Sequence, residues 1–317
     1  MKNGKDYDIL VVGELNVDLI MDRLNSPPQF GKEQRADIMT LTMGSSSAIF
    51  AANCASLGAK VAFCGKIGKD NFGDFVMDSL SSKRVNTDAV IVDEKLKTGA
   101  TIIFNYDNDR MMVTHPGAME QMTPEEIPQE LFSKSRHIHT SAIFFQPGIK
   151  NNLVSLFKKA KNSGLTTSMD TQWDPEEKWD IDLKKLLPVL DFFLPNEQEL
   201  LQLTAAPDID VALNKISEYK TCIVVKRGTK GALMQKDGAK VSVPAFNVPD
   251  FIDAIGAGDS FNAGFIHEYL NGKDLNQCMK AGSLTAAVST TAAGGTEGIE
   301  SYQQVHDRKK TLEILPS

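Results

Sequence analysis

The segment Asp253-Ala254-Ile255-Gly256-Ala257-Gly258-Asp259-Ser260-Phe261-Asn262-Ala263-Gly264 is where this 317-residue chain could do chemistry. Small residues run there into a helical stretch, which places several backbone N–H groups at a helix N-terminus. Such an end carries about half an elementary positive charge and donors without intrahelical partners, so it suits an anion. The glycines let a ligand approach the backbone closely. Asp259 falls in the first turn, beside that anion hole. An isolated Asp there reads as a helix cap. Beside a bound phosphate, its carboxylate can instead take a proton from an attacking hydroxyl. Asn196-Glu197-Gln198-Glu199 reads, on spacing, as a helix N-terminus with an Asn cap and acids favourable to the dipole.

Other signatures fail on counting. A Walker A loop needs Gly-x4-Gly-Lys-Ser/Thr, but Gly65-Lys66 is followed by Ile67 and Gly58 stands at the wrong distance. Gly256-Ala257-Gly258 has Phe261 where a dinucleotide fingerprint needs its third glycine, and it lies late in the chain. His267-Glu268 has Asn271 where a zinc-protease helix carries its second histidine. His137 and His139 share one strand face without a third ligand and read as structural. No Gly-x-Ser-x-Gly elbow occurs.

Composition narrows the classes further. Hydrophobic residues at 42% and charged residues at 24% suit a globular protein and exclude a disordered or fibrous one. The net charge is −7, with both signs spread along the chain and no concentrated Lys/Arg block, which excludes a duplex-binding surface. Small anionic ligands remain possible, because a local pocket can oppose the net charge. Cys54, Cys64, Cys222 and Cys278 are widely spaced in apolar stretches and read as buried free thiols. The N-terminal residues show no signal-type apolar segment, and nothing downstream approaches about 20 apolar residues. A soluble protein of the reducing cytoplasm is expected, with no membrane partner.

The elements that must position these residues follow an alternating pattern. Strands are expected at 8–13, 60–64, 137–141, 165–170, 191–194 and 221–225. Helices are expected at 46–57, 71–82, 149–162, 197–203, 209–219, 258–270 and 275–291. Alternation of this kind argues for a mostly parallel sheet covered on both faces. Two β-rich stretches interrupt it, at about 17–42 and 89–115, where IVD, TGATIIFNY and RMMV alternate like a meander. They are expected to form a small lid sheet beside a single α/β domain spanning residues 1–317.

In these motifs the chain resembles the PfkB, or ribokinase-like, family of carbohydrate kinases. Asp253–Asp259 closely matches the family's C-terminal signature, with Ala254 at a usual Thr or Ser position. Gly13-Glu14-Leu15-Asn16-Val17-Asp18 looks like its N-terminal sugar-contacting strand. Gly65-Lys66-Ile67-Gly68-Lys69-Asp70 with Phe72-Gly73 resembles its GxxGxDxxG stretch. Asn196–Glu199 fits NxxE, and Lys226-Arg227-Gly228 with Gly231 fits the nucleotide-side turn. Each motif is weak alone; all in the family's order, over nearly the whole chain, are specific.

The resemblance implies a ribokinase-like three-layer α/β sandwich with a mostly parallel central sheet and a small β-sheet lid. It implies an ATP-dependent sugar kinase in which Asp259 is the general base and the N–H groups of Gly256, Ala257 and Gly258 hold the transferring phosphoryl group. Glu199 with Asn196 would orient Mg²⁺ through water, and the nucleotide would lie along Lys226, Gly228, Gly231 and the loop at Gly294. Lys226 departs from the Thr of many relatives. A monovalent cation such as K⁺ would sit at Asp253 and the Ile255 carbonyl. The sugar would meet Asn16 and Asp18, but the family's Gly-Gly-x-x-x-Asn reads here Gly44-Ser45-Ser46-Ser47-Ala48-Ile49. Ile49 cannot hydrogen-bond a hydroxyl, so either Ser45, Ser46 and Ser47 substitute or the substrate differs from common hexoses and ribose. Arg110, in the DNDR turn, either reaches an anionic group on the substrate or is an exposed hairpin charge. A homodimer through the lid is expected. Two rival readings are a nucleoside kinase with Phe30, Phe104 and Tyr106 closing on a base, and a sugar-binding regulator without turnover.

Overall fold

In the run Tyr7–Val12, Ile9 and Val11 pack into one apolar cluster while Leu10 and Val12 pack into another. A strand buried on both sides in this way belongs inside a sheet covered by helices. The computed structural model describes residues 4–24, 26–106 and 110–315. Its main sheet has the order Ala239–Val243, Ala232–Lys236, Cys222–Lys226, Phe192–Phe193, Thr166–Met169, Ser135–Thr140, Tyr7–Val12, Val61–Cys64. The strands from Cys222–Lys226 through Val61–Cys64 pair in parallel, and the first two add an antiparallel edge.

One face of this sheet carries the helices Ser46–Ser56, Asn71–Ser82, Ala257–Leu270 and Leu275–Ser289, which contribute Phe50, Val76, Phe265 and Met279 to its core. The other face carries Leu153–Asn162, Glu197–Thr204 and Ile209–Lys215 through Phe157, Leu200 and Leu213. The result is the expected three-layer α/β sandwich. Local sequence explains the helix starts. Asp70 accepts the Gly73 N–H at 2.9 Å, Asp208 accepts that of Val211 at 2.8 Å, and Asn196 and Glu199 form a reciprocal capping box.

Several boundaries differ from expectation for physical reasons. The helix expected over 149–162 is broken into Pro147–Lys150 and Leu153–Asn162, because the Asn152 side chain donates to the Gly148 carbonyl at 2.9 Å and closes the first turn. The helix expected over 275–291 stops at Ser289, where Thr290 and Thr291 turn their hydroxyls onto the Ala287 and Val288 carbonyls, and a further helix, Tyr302–Arg308, follows it. The antiparallel edge hairpin was not expected from the alternating pattern. Its signal is Asp237-Gly238, both with positive φ, a two-residue turn between strands.

The small sheet has the order Ile38–Met43, Asn16–Asp22, Gly99–Asn105, Arg110–His115, with the central pair parallel and the outer pairs antiparallel. Ile91–Asp93, expected in this sheet, instead pairs in parallel with Lys66–Gly68. Asp93 then caps the N–H groups of Lys95 and Leu96 and turns the chain away. Residues 107–109, where the DNDR turn is expected, lie outside the described residues. Among the described residues no helix is long and apolar enough to cross a membrane.

Candidate active site

The parallel strands end together on one edge of the main sheet, the usual place for a ligand in such folds. Thr166–Met169 delivers Asp170, Phe192–Phe193 leads to Asn196, and Cys222–Lys226 ends on Lys226 itself. The N-terminus of Ala257–Leu270 faces them. Between lies a cleft of about 700 Å³. One end is lined by Asp18, Ser46, Ile49, Ile103, Arg110 and Met112, the middle by Gln172, Glu199, Lys226 and Asp259, and the far end by Thr229, Phe246, Val248, Phe251 and Ala287.

The loop before the helix is built for close approach. Gly256 takes φ +69°, a left-handed conformation, and a Cβ there would stand 3.0 Å from both the Gly295 Cα and the Ile49 Cγ2. Asn53 ties this loop to its neighbour by donating to Ser260 Oγ at 2.9 Å and to the Gly295 carbonyl at 3.0 Å. Ser260 Oγ in turn donates to the Gly256 carbonyl at 2.8 Å. The N–H groups of Gly256 and Gly258 meet no acceptor among the described residues, whereas that of Ala257 closes onto the Ala254 carbonyl at 3.2 Å. Gly256 and Gly258 are therefore the open donors of the expected anion hole.

Asp259 is buried in the first turn and accepts from Gln172 Nε2 at 3.2 Å. Burial and the nearby Asp170 carboxylate push its carboxyl well above the usual range, with Lys226 opposing them. Lys226 pairs with Asp170, whose same oxygen accepts from Asn262 at 2.6 Å. Burial works against the Lys226 charge, but Asp170, Glu199 and Asp259 together hold its ammonium above the ordinary value. Glu199 is pushed up to about 7 by burial and by Asp170. Its two oxygens accept from the Asn196 side chain at 2.6 Å, the Asn196 N–H at 2.9 Å and Thr171 at 3.3 Å. The capping reading of this motif and its place in the cleft hold together.

At the other end Asp18 is buried and is pushed up to about 6 by desolvation, against the bonds from Asn16 and Thr101. Asn16 donates to Asp18 Oδ1 at 2.9 Å and to Thr101 at 3.2 Å. Gly44 makes room for that carboxylate, because a Cβ there would stand 2.3 Å from Asp18 Oδ1. The three serines divide. Ser45, at φ +72°, caps its helix at the Ala48 N–H and donates to the Glu14 carbonyl at 2.6 Å. Ser47 is wholly buried against Glu14 and Ser141. Only the Ser46 hydroxyl is left without a partner among the described residues, and it lines the cleft.

A family model described as pfkB family carbohydrate kinase matches residues 6–301. The chain belongs to that family. It is 30% identical over 244 residues to an uncharacterized sugar kinase of Archaeoglobus fulgidus, covering 77% of this chain and 96% of the other. With a deoxyribokinase of Salmonella typhi it shares 29% over 309 residues, covering 95% and 98%. Its fold matches an E. coli chain provisionally termed ribokinase II, solved with ATP and Mg²⁺, at a TM-score of 0.86 for the apo form and 0.84 for the complex. Both comparisons cover 96% of this chain and 99% of the other at 20% identity. The ribokinase-like fold expected from the sequence is thus observed.

The kinase gathers Asp18, Ser45, Ser46, Ile49, Arg110, Asn196, Glu199, Lys226, Gly228, Gly231, Ile255, Gly256, Ala257, Gly258 and Asp259 around one cleft. Asn16, Gly44, Ser47, Asp253 and Gly294 stand behind it. Asp253 accepts the N–H groups of Ile255 at 2.8 Å and Gly294 at 3.2 Å, joining two loops. Asp170 and Gln172 were missed by sequence reasoning. Their signal was an acid at the C-terminal end of an inner strand. His137 and His139 are buried, bonded to Thr166 and Ser168, and His139 stacks on Phe50 at 3.8 Å, so both are structural. All four cysteines are buried and free.

Proposed function

We propose that this kinase transfers the γ-phosphate of ATP to a hydroxyl of a small carbohydrate, with Asp259 as general base. The observation that carries the reading is the buried Asp259 carboxylate beside the open N–H groups of Gly256 and Gly258, in a cleft lined by Asp18 and Ser46 on the side of the small sheet and by Phe246, Val248 and Phe251 elsewhere. The acceptor hydroxyl gives its proton to Asp259, and its oxygen forms the new bond to the γ-phosphorus. The bond to the bridging oxygen breaks, and its electron pair leaves with ADP. Charge on the transferred group falls at the positive end of the helix, where fixed donors need no reorganisation. The nucleotide lies along Lys226, Gly228 and Gly231, with its base toward Val248 and Phe251.

Glu199 and Asn196 offer hard oxygen donors in an acid-rich setting, which fits Mg²⁺ bound through water. Bound there with the phosphates, Mg²⁺ supplies charge neutralisation on the triphosphate. Asp253 and the Ile255 carbonyl stand at the junction of the two loops and would hold a monovalent cation.

For the acceptor, Asp18 and Ser46 provide hydrogen bonds on one edge, and Ile49 with Met112 provides an apolar wall. This suits a polyol with one face lacking a hydroxyl, such as a deoxy sugar, which agrees with the name of the Salmonella relative. Phe30, Phe104 and Tyr106 are not among the cleft residues, which disfavours the nucleoside reading. A homodimer through the small sheet is supported by its outer face. The strand registers place Leu19, Met39, Leu41, Ile102, Met111 and Val113 together there, and the last five are each more than a third exposed. A coupled ADP-release assay over pentoses, deoxy sugars, hexoses, sugar acids and nucleosides tests the reading. Release with a deoxy sugar is expected, and release with nucleosides alone would overturn it.

A further inference from the structure

Lys226 ends an inner strand, and its side chain is only 12% exposed, while its partner Asp170 is fully buried. A buried ion pair is seldom there for stability, since an apolar pair of similar volume commonly does as well. The geometry here is also incomplete in an informative way. Asp170 Oδ2 accepts both Lys226 Nζ and Asn262 Nδ2, while Asp170 Oδ1 is buried without a partner. Lys226 Nζ has three protons and Asp170 as its one acceptor among the described residues. Two donors are therefore left on an ammonium that lines the cleft. It stands beside the glycine loop, since a Cβ placed on Gly258 would be 3.4 Å from Lys226 Nζ. Asn262, the second ligand of Asp170, follows Asp259 on the same helix, so the pair is braced by the element that carries the base.

Charge gives these donors a purpose. Asp170, Glu199 and Asp259 crowd this part of the site, and a polyphosphate entering it adds several more negative charges. Among the described residues lining the cleft, the cationic side chains are Lys226 and Arg110, and Arg110 belongs to the small sheet at the other end. We propose that Lys226 is a catalytic residue that neutralises charge on the phosphoryl group in transit, and that Asp170, with Asn262, is the positioning residue that aims its ammonium at the glycine loop. The inference rests on the kinase reading above and adds to it a role in the transition state and a residue behind the cleft. Because Asp170 holds Lys226 in place before ATP arrives, most of the benefit falls on turnover rather than on ATP affinity.

The test is a double-mutant cycle on the full chain, with kcat and KM measured on the best sugar and Mg·ATP binding measured by calorimetry. Lys226→Met should lower kcat by roughly 10²–10³-fold, the cost of losing one preorganised donor, with the ATP Kd moving much less. Asp170→Asn should lower kcat by about 10-fold or more, as a misaimed group does. In the Lys226→Met background Asp170→Asn should have almost no further effect, because the two act as one unit. Equal costs of Asp170→Asn in both backgrounds would make Asp170 merely structural and overturn its part of the proposal. An ATP Kd that weakens in step with an unchanged kcat would make Lys226 a simple anchor and overturn the rest. If Lys226→Met leaves Asp170 too unbalanced to fold, the neutral double variant is compared with Asp170→Asn. A fall of about 10-fold is then expected, and no fall refutes the proposal. A parent protein that releases no ADP on any sugar fails the kinase reading instead, so the two failures are distinguishable.

Discussion

Asp259→Asn should separate catalysis from folding. Asn keeps the size of the side chain and an oxygen for Gln172 Nε2, now at 3.2 Å, so the first turn of the helix should stay as it is. What it loses is the capacity to take a proton, which for a positioned base is worth roughly 10²–10⁴ in rate, or about 3–5 kcal/mol of barrier. Stability should move the other way. Burial and Asp170 push the Asp259 carboxyl well up, so ionising it at neutral pH works against the fold. A neutral amide removes that cost, and the variant should melt higher than the parent at pH 8. The sign also fixes a pH profile: the parent's kcat/KM should rise with pH through the raised pKa, and the variant's residual rate should lack that limb. ADP release gives the rates, calorimetry the ATP affinity and thermal melts the stability. Turnover within a few-fold of the parent would refute Asp259 as the base. A lower melting temperature with lost activity would refute the electrostatic account of the site.

Four further outcomes follow from the same structure. Asp18→Ala should raise the sugar KM by roughly 10–100-fold, since a hydrogen bond to a charged group is worth about 1.5–3 kcal/mol, and the parent's KM should fall as pH rises through about 6; an unchanged KM on the best substrate would move the sugar elsewhere. Glu14 is buried with its carboxyl pushed up to about 7 from 4.5, mainly by desolvation, so its stabilising contribution is lost as pH rises between those values. That shift corresponds to about 3 kcal/mol, so the stability gap between parent and Glu14→Gln in urea should narrow by that order from pH 4.5 to 8, and a constant gap would contradict it. Activity should rise when K⁺ replaces a bulky organic cation at constant ionic strength, and a flat response with Mg²⁺ saturating would remove the cation from Asp253. Val113→Lys, on the outer face of the small sheet, should leave monomers in light scattering where the parent forms dimers; a parent that is monomeric at micromolar concentration would end the dimer reading.

The parts of the fold that were legible in the sequence are those governed by local signals. Asn71–Ser82 is bounded by an Asp cap and buries Val76 and Leu80 one turn apart, so pattern and cap agree. The segment at Gly256–Asp259 was legible because its glycines answer a steric demand visible in the chain. Pairings decided at a distance were not legible. Ile91–Asp93 has the alternation of a lid strand, yet its partner is Lys66–Gly68, and only the closure of the Gly65 carbonyl onto the Ile91 N–H at 2.9 Å settles the matter. Asp170 was hidden for the same reason. Its neighbours in sequence say that a strand ends there, but its partners, Lys226 and Asn262, lie 56 and 92 residues away.

Ile49 shows why a departure from a motif cannot be read from one side alone. In the motif alone it is an amide lost from the sugar pocket. In the fold it also packs under the glycine loop, where its Cγ2 and Cδ1 fill the space that a Cβ on Gly256 or Gly295 would need. The same side chain therefore lines the cleft and supports the glycine loop, and in the proposed reading it is both the apolar wall of the acceptor end and a prop for the phosphoryl site. An Asn in its place would put a polar group against two glycines and, unless it found a hydroxyl, would leave that group buried and unpaired. Ser46, the one uncommitted hydroxyl of its run, lines the same cleft, and in the proposed reading it is the group placed to make the hydrogen bond that Ile49 cannot.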